Sequence, residues 1–173
     1  MKVHHEVIAV HPDRKTVSVK NLKTGEEFEE SYDKLLLSPG AKPVWPNLPG
    51  MNSDKLFTLR TVEDTFRIKE FVDQQKPKSA VMVGGGFIGL EVAENLRELG
   101  LDVTIVQRPK QLMNPFDADM ASFIHSEVRK HGVKLALGYS VEGFAEKDNG
   151  VEVLLKDQPS IHVDMVVLAI GVT

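Results

Sequence analysis

Six residues near the middle of the chain, Gly84-Gly85-Gly86-Phe87-Ile88-Gly89, carry the spacing G-x-G-x-x-G. Set between a strand and a helix, that spacing suits the binding of a dinucleotide pyrophosphate. Gly84 permits the tight turn, Gly86 lets backbone approach the pyrophosphate, and Gly89 allows close packing of helix on strand. The first turn of the helix then offers unpaired N–H groups and the positive end of its dipole to the phosphates. Ala93, four residues after Gly89, keeps the same helix face small. The alternative is a glycine-rich turn without a ligand.

A carboxylate that grips the adenosine ribose is expected at the end of the second strand of such a unit. Position 107 has the expected reach, and it holds Gln107. An amide can still bond a ribose hydroxyl, but it carries no charge to repel a 2′-phosphate. Arg108 either approaches such a phosphate or is a solvated loop charge. The pair predicts weak discrimination between NAD(H) and NADP(H), leaning to NADH.

Elements that could position these residues are legible from periodicity. Val3 to Val10 and Lys15 to Lys20 read as strands joined by the turn His11-Pro12-Asp13-Arg14, with a short polar strand near Phe28. Leu35-Leu36-Leu37 reads as a buried strand ended by Ser38-Pro39-Gly40, and Pro43, Pro46 and Pro49 mark a linker. From Thr61 the period turns helical, through Val62, Phe66, Ile68, Phe71 and Val72, until Pro77. Strand Ala80 to Val83 precedes the glycines, and Ile88, Val92, Leu96 and Leu99 mark the following helix, stopped by Gly100. Val103 to Val106 is a strand, and Asp117 caps a helix that ends at His131-Gly132. Strands then follow at Val133 to Leu137, Val141 to Ala145, Val151 to Leu155 and Met165 to Ile170, with Asp148-Asn149-Gly150 as a hairpin turn. The fold class is α/β: a Rossmann-like parallel sheet with crossover helices and a β-meander, preceded by a β-rich segment.

Composition narrows the chemistry. The chain has 173 residues, no cysteine and a net charge of −4. Thiol redox catalysis and thiolate metal sites by this chain are excluded. Scattered Lys and Arg argue against nucleic acid as a partner. No apolar run reaches the roughly 18 residues of a membrane span. The start, Met1-Lys2-Val3-His4-His5-Glu6, lacks the basic head and apolar core of a secretory signal. A cytoplasmic protein handling a small molecule is the expectation. His4-His5 cannot chelate, because neighbouring strand residues point to opposite faces, and no metal site is expected. His125 and His131 read as helix-surface residues.

One internal likeness bears on organisation. Asp33 to Gly40 and Asp164 to Gly171 both run Asp, any residue, three aliphatics, a small residue, any residue, Gly. Buried strands entering glycine turns are common, and coincidence is the alternative. If the likeness is real, the first copy ends a nucleotide-binding domain whose front is absent, and the chain is truncated.

Gly84 to Glu91, Asp33 to Ala41 with its following prolines, and Asp164 to Gly171 together resemble the FAD-dependent pyridine nucleotide-disulfide oxidoreductases. Leu56 to Arg60 and Met113 to Met120 are similar to the branch of coenzyme A-disulfide reductases, NADH-dependent persulfide reductases and NADH oxidases. The resemblance implies that residues 1–50 are the C-terminal part of a first FAD segment and residues 51–173 an NAD(P)-binding domain. It implies that FAD, the redox cysteine and a dimer-forming C-terminal domain belong to the full-length parent, itself a homodimer. No catalytic residue is then expected in this chain, which should bind NAD(H), or alternatively NADP(H), without turnover. Phe87 sits where the family places an aromatic gate over the flavin, and Glu91 where a carboxylate approaches the nicotinamide carboxamide. Residues 87 and 91 share a helix face. The alternatives are a packed core Phe and a first-turn Glu serving the helix dipole. Ile170-Gly171 resembles the turn backing the nicotinamide, and Ser38-Pro39-Gly40 departs at two positions from the usual Ala-Thr-Gly crossing. A stand-alone, non-catalytic NAD(H)-binding or redox-sensing module is the competing expectation.

Overall fold

The computed structural model describes residues 1–173, and its contacts divide the chain at Gly40. Met1–Gly40 is an antiparallel meander of β1 (His5–His11), β2 (Thr16–Asn21) and β3 (Glu27–Ser31), in that order. A 3-10 turn at Pro12–Arg14 joins the first two strands, and Lys15 closes it at φ 48°. Val17 and Val19 alternate inward along β2 and are its buried pair.

The strand expected at Leu35–Leu37 does not form. Those residues have no regular structure, and Leu36 is 89% exposed. A strand exists only by bonding to a neighbour, and no strand of this unit runs beside the triplet. The likeness between Asp33–Gly40 and Asp164–Gly171 therefore does not extend to structure, beyond positive φ at both Gly40 and Gly171.

Ala41–Thr173 holds the remaining elements. They are β4 (Leu56–Thr58), α1 (Val62–Gln75), β5 (Ser79–Val83), α2 (Phe87–Glu98), β6 (Asp102–Gln107) and α3 (Ala118–Lys130). Then come β7 (Lys134–Leu137), β8 (Val141–Lys147), β9 (Gly150–Leu155), β10 (Ile161–Val163) and β11 (Met165–Leu168). Five strands make a parallel sheet in the order β4-β11-β5-β6-β7, and β8 to β10 make an antiparallel meander. The three-residue strands β4 and β10 escape sequence reading because they are too short to show a period.

Alternation along the parallel strands explains the layering. Ala80 and Met82 of β5, Val103 and Ile105 of β6, and Met165 and Val167 of β11 join one buried cluster with Val92, Ala93 and Leu96 of α2. Val81, Val83, Val106, Val166 and Leu168 face the other way, into a cluster with Phe144, Val151 and Val153 of the meander. Both faces of the sheet are covered, so its strands read as continuous aliphatic runs rather than as alternating ones.

Local chemistry sets the ends of the elements. Thr61 and Asp64 form a reciprocal capping box at the start of α1, and Lys76 closes that helix at φ 49° just before Pro77. The β8–β9 hairpin turns on Asp148 and Asn149, both at positive φ, as a two-residue turn with primed geometry requires. Asp164, leading into β11, accepts the backbone N–H groups of Lys78 and Ser79 at 2.7 and 2.9 Å and the Ser79 hydroxyl at 3.0 Å. Desolvation raises its carboxyl, but these donors together outweigh it and hold the group below the ordinary carboxylate range.

Residues 41–50, read from sequence as the end of the first segment, are bonded instead into the second unit. Lys42 and Thr173 exchange backbone hydrogen bonds at 2.8 and 2.9 Å, Val44 N–H donates to Gly171, and Phe144 N–H donates to Pro49. Proline removes donors from this stretch without preventing the remaining groups from pairing.

Candidate functional site

Strand order alone locates a crevice. From β5 the chain passes through α2 to β6 on one side, while β11 lies on the other side of β5. The loops leaving the C-terminal ends of β5 and β11 therefore diverge, and ligands of open parallel sheets bind at such a switch point. A cleft of about 620 Å³ opens there. Its floor is Gly84-Gly85-Gly86, and its walls include Gln107, Arg108, Ile170, Gly171, Tyr139 and Phe144.

The three motif glycines have three different environments. Gly84 has φ +110°, and a Cβ there would lie 2.3 Å from the Ala169 carbonyl oxygen. A Cβ on Gly89 would lie 2.0 Å from the Gly84 carbonyl oxygen, so this residue lets the first turn of α2 rest on the turn below it. Gly86 is the N-cap of α2, has no side-chain cap, and would place a Cβ in open space with no atom within 4 Å. Orphan N–H groups of a helix start thus border an empty volume. That combination fits a phosphate approaching the backbone.

Gly85, a freely variable position in the motif, is also constrained. A Cβ would lie 2.3 Å from Cδ2 of Leu112, a fully buried side chain. Its N–H donates to Gln107 Oε1 at 2.9 Å, and its carbonyl accepts from Met113 N–H at 2.8 Å.

Gln107 therefore stands at the edge of the cleft with its carboxamide turned to the glycine loop. The other end of that carboxamide, Nε2, donates to the Gln111 carbonyl at 3.4 Å. Arg108 is exposed at the cleft wall and forms no ion pair. Among the residues singled out from sequence, Gly84, Gly86, Gln107, Arg108, Ile170 and Gly171 line the cleft. Phe87, Ile88, Gly89 and Glu91 do not; Gly89 is buried on the inner face of α2, while Phe87, Ile88 and Glu91 are exposed on its first turns. Phe87 is not a packed core residue, being 64% exposed.

Sequence reading missed Pro46, Leu48, Tyr139 and Phe144 as walls. Neither motif nor period marks them, since the linker and the start of β8 reach the cleft only through packing. No cluster of three His, Cys, Asp or Glu could hold a metal ion.

His125 is a correction: it is half-buried rather than a free helix-surface residue, and its Nε2 accepts Leu112 N–H at 2.9 Å. Desolvation, then the nearby Arg129 charge, depress its pKa below the ordinary value of about 6.5. The neutral ring is the form that accepts, so the folded state binds a proton less readily than the unfolded chain. Its contribution to stability is complete above about pH 6.5 and is lost as pH falls through the depressed pKa. Melting temperatures of wild type and His125→Gln, which offers a non-titrating acceptor, should converge toward pH 5 and diverge in favour of wild type near pH 7. Parallel pH profiles would contradict this assignment.

Residues 1–173 match the family model described as pyridine nucleotide-disulphide oxidoreductase. A coenzyme A disulfide reductase of Staphylococcus aureus is 42% identical over 171 residues, which cover 99% of this chain and 37% of that protein. The reduced CoADR-RHD of Bacillus anthracis aligns with a TM-score of 0.85 and 45% identity, covering 97% of this chain and 30% of the other. The water-forming NADH oxidase of Lactobacillus brevis, solved bound to NADH, aligns with a TM-score of 0.84 and 36% identity, over 97% of this chain and 37% of the other. The chain thus spans about a third of the length of these relatives.

Proposed function

The chain belongs to the pyridine nucleotide-disulphide oxidoreductases, and from that premise we propose that residues 41–173 bind the nicotinamide dinucleotide of a flavin-dependent reductase. The observation that carries this reading is the open volume at Gly86, against the uncapped start of α2, on the floor of the switch-point cleft. The bound nucleotide supplies a hydride. The chain's own residues bind and orient it. Gly84 and Gly89 keep the loop low, the first N–H groups of α2 take the pyrophosphate, and Ile170-Gly171 backs the nicotinamide half. Phe87 and Glu91 face the side from which a flavin would accept the hydride. In a flavin-dependent reductase built on this unit, FAD would accept that hydride and deliver it to a disulfide, a persulfide or oxygen. This chain contributes no cysteine to that last step.

The adenosine end accepts either dinucleotide. Position 107 bears no carboxylate to repel a 2′-phosphate, and its carboxamide is occupied by Gly85 and Gln111. Arg108 is the free cation beside it. Calorimetric titration of the purified chain with NADH and NADPH tests both parts of the reading. Both should bind, and Arg108→Ala should weaken NADPH about tenfold or more, the worth of one charge-assisted bond, while sparing NADH. Failure of both nucleotides to bind a folded chain would overturn the assignment of the cleft, and binding of only one would overturn its dual acceptance.

A further inference from the structure

Residues 111–113 form a short strap laid along the glycine loop. Gly85 N–H donates to Gln107 Oε1 at 2.9 Å, and Gln107 Nε2 donates to the Gln111 carbonyl at 3.4 Å. Met113 N–H then returns to the Gly85 carbonyl at 2.8 Å, closing a circuit on the loop that floors the cleft. Within that circuit Leu112 is fully buried, and its Cδ2 fills the space that a Cβ on Gly85 would need. Met113 sits at φ 50°, a left-handed conformation that a non-glycine residue keeps only where its surroundings hold it.

The Leu112 N–H takes no part in the circuit. It donates instead to Nε2 of His125, on α3, at 2.9 Å. That bond ties the strap to a helix from outside. His125 is half-buried, and only its neutral ring can accept at Nε2. A proton on that nitrogen would meet the Leu112 N–H donor against donor. The strap from Gln111 to Phe116 carries no ionisable side chain. Arg129, one turn further along α3, is the charge that acts on the ring, and it disfavours protonation.

We infer that His125 is a positioning residue for the dinucleotide: by accepting the Leu112 N–H it holds the strap, and through it the Gly85 backbone, in the shape that receives the pyrophosphate. The inference rests on the reading that the dinucleotide occupies this cleft. Gly85 lines the cleft and His125 does not, so the influence passes through Leu112 and Met113 rather than by contact with the ligand. Without His125 the strap loses a restraint, and the loop gains conformations in which it no longer receives the pyrophosphate. Apparent affinity falls in proportion to the share of chains in those conformations.

ADP-ribose, which carries the pyrophosphate but not the acid-labile dihydronicotinamide, is the probe, titrated calorimetrically with circular dichroism to establish folding. His125→Leu removes the acceptor while keeping bulk, and is expected to weaken ADP-ribose about fivefold or more at neutral pH. His125→Gln, whose Oε1 accepts without titrating, should stay within about twofold of wild type. Below about pH 6.5 the wild type should lose affinity as the ring protonates, at least twofold by about pH 5, with no matching loss in His125→Gln. A folded His125→Leu with wild-type affinity would overturn the inference, as would His125→Gln as weak as His125→Leu. If His125→Leu does not fold, the pH comparison decides, and parallel profiles of wild type and His125→Gln overturn the inference. If ADP-ribose fails to bind the folded wild-type chain, the cleft assignment falls and the inference falls with it. If ADP-ribose binds and the His125 effects are absent, only the inference falls.

Discussion

Gly86→Val is expected to yield a folded protein that no longer binds nicotinamide dinucleotide. The backbone at Gly86 is extended, with φ −87° and ψ −170°, a conformation open to any residue. A Cβ there meets no protein atom within 4 Å, so the fold has no reason to object. That same space is where the pyrophosphate must come. Branched methyl groups would hold it away from the first N–H groups of α2. Losing two hydrogen bonds to a charged group costs about 3–6 kcal/mol, or at least two orders of magnitude in affinity. Calorimetric titration with NADH, alongside circular dichroism to establish folding, measures both halves of the expectation. A folded variant with wild-type affinity would show that the nucleotide does not approach this backbone.

Gly84→Ala is expected to do the reverse, damaging stability before binding can be asked about. The residue lies at φ +110°, where side chains are rarely tolerated, and the new methyl would sit 2.3 Å from the Ala169 oxygen and 2.7 Å from its carbonyl carbon. Those atoms are backbone and cannot rotate away. Ala169 is also held by its own N–H bond to Val83 at 2.8 Å. Backbone strain of about 1–3 kcal/mol and overpacking of a similar size together cost roughly 2–6 kcal/mol. For a chain of this length the melting temperature should drop by about 10 °C. Thermal melts of Gly84→Ala beside Gly86→Val provide the comparison, and equal melting temperatures would refute it. Two glycines two positions apart in the motif would then be separated by role: one needed for the turn, the other for the ligand.

Much of the second unit could be read from local pattern. Helical spacing from Val62 to Val72 and from Ile88 to Leu99, the aliphatic runs of β5, β6 and β11, and the turn at Asp148-Asn149 all appear near their expected places. Each depends on residues within a few positions of one another, and backbone geometry converts such spacing directly into helix, strand or turn. The glycine motif is legible because its three glycines recur at fixed spacing within six residues, although the atom that Gly84 must avoid, the Ala169 carbonyl oxygen, comes from far along the chain.

What tertiary structure decided has a common cause: the deciding partner is distant in sequence. Leu35-Leu36-Leu37 has the composition of a buried strand, but pairing requires a neighbour, and without one the triplet stays irregular and exposed. Gln107 stands where the ribose-binding residue was expected, yet Gly85 and Gln111 claim its carboxamide, a contact that spacing cannot reveal. His125 lies on an amphipathic helix whose pattern suggests a surface position, and the Leu112 N–H makes it an acceptor instead. Gly85 looks like a free position until Leu112 is brought against it. The amino-acid sequence by itself determined which elements form and where phosphate-binding backbone would lie. Only the packing of β5, β6, β11 and the linker against one another decided which side chains share the cleft, because hydrogen bonds and steric contacts act over a few ångströms of space regardless of separation along the chain.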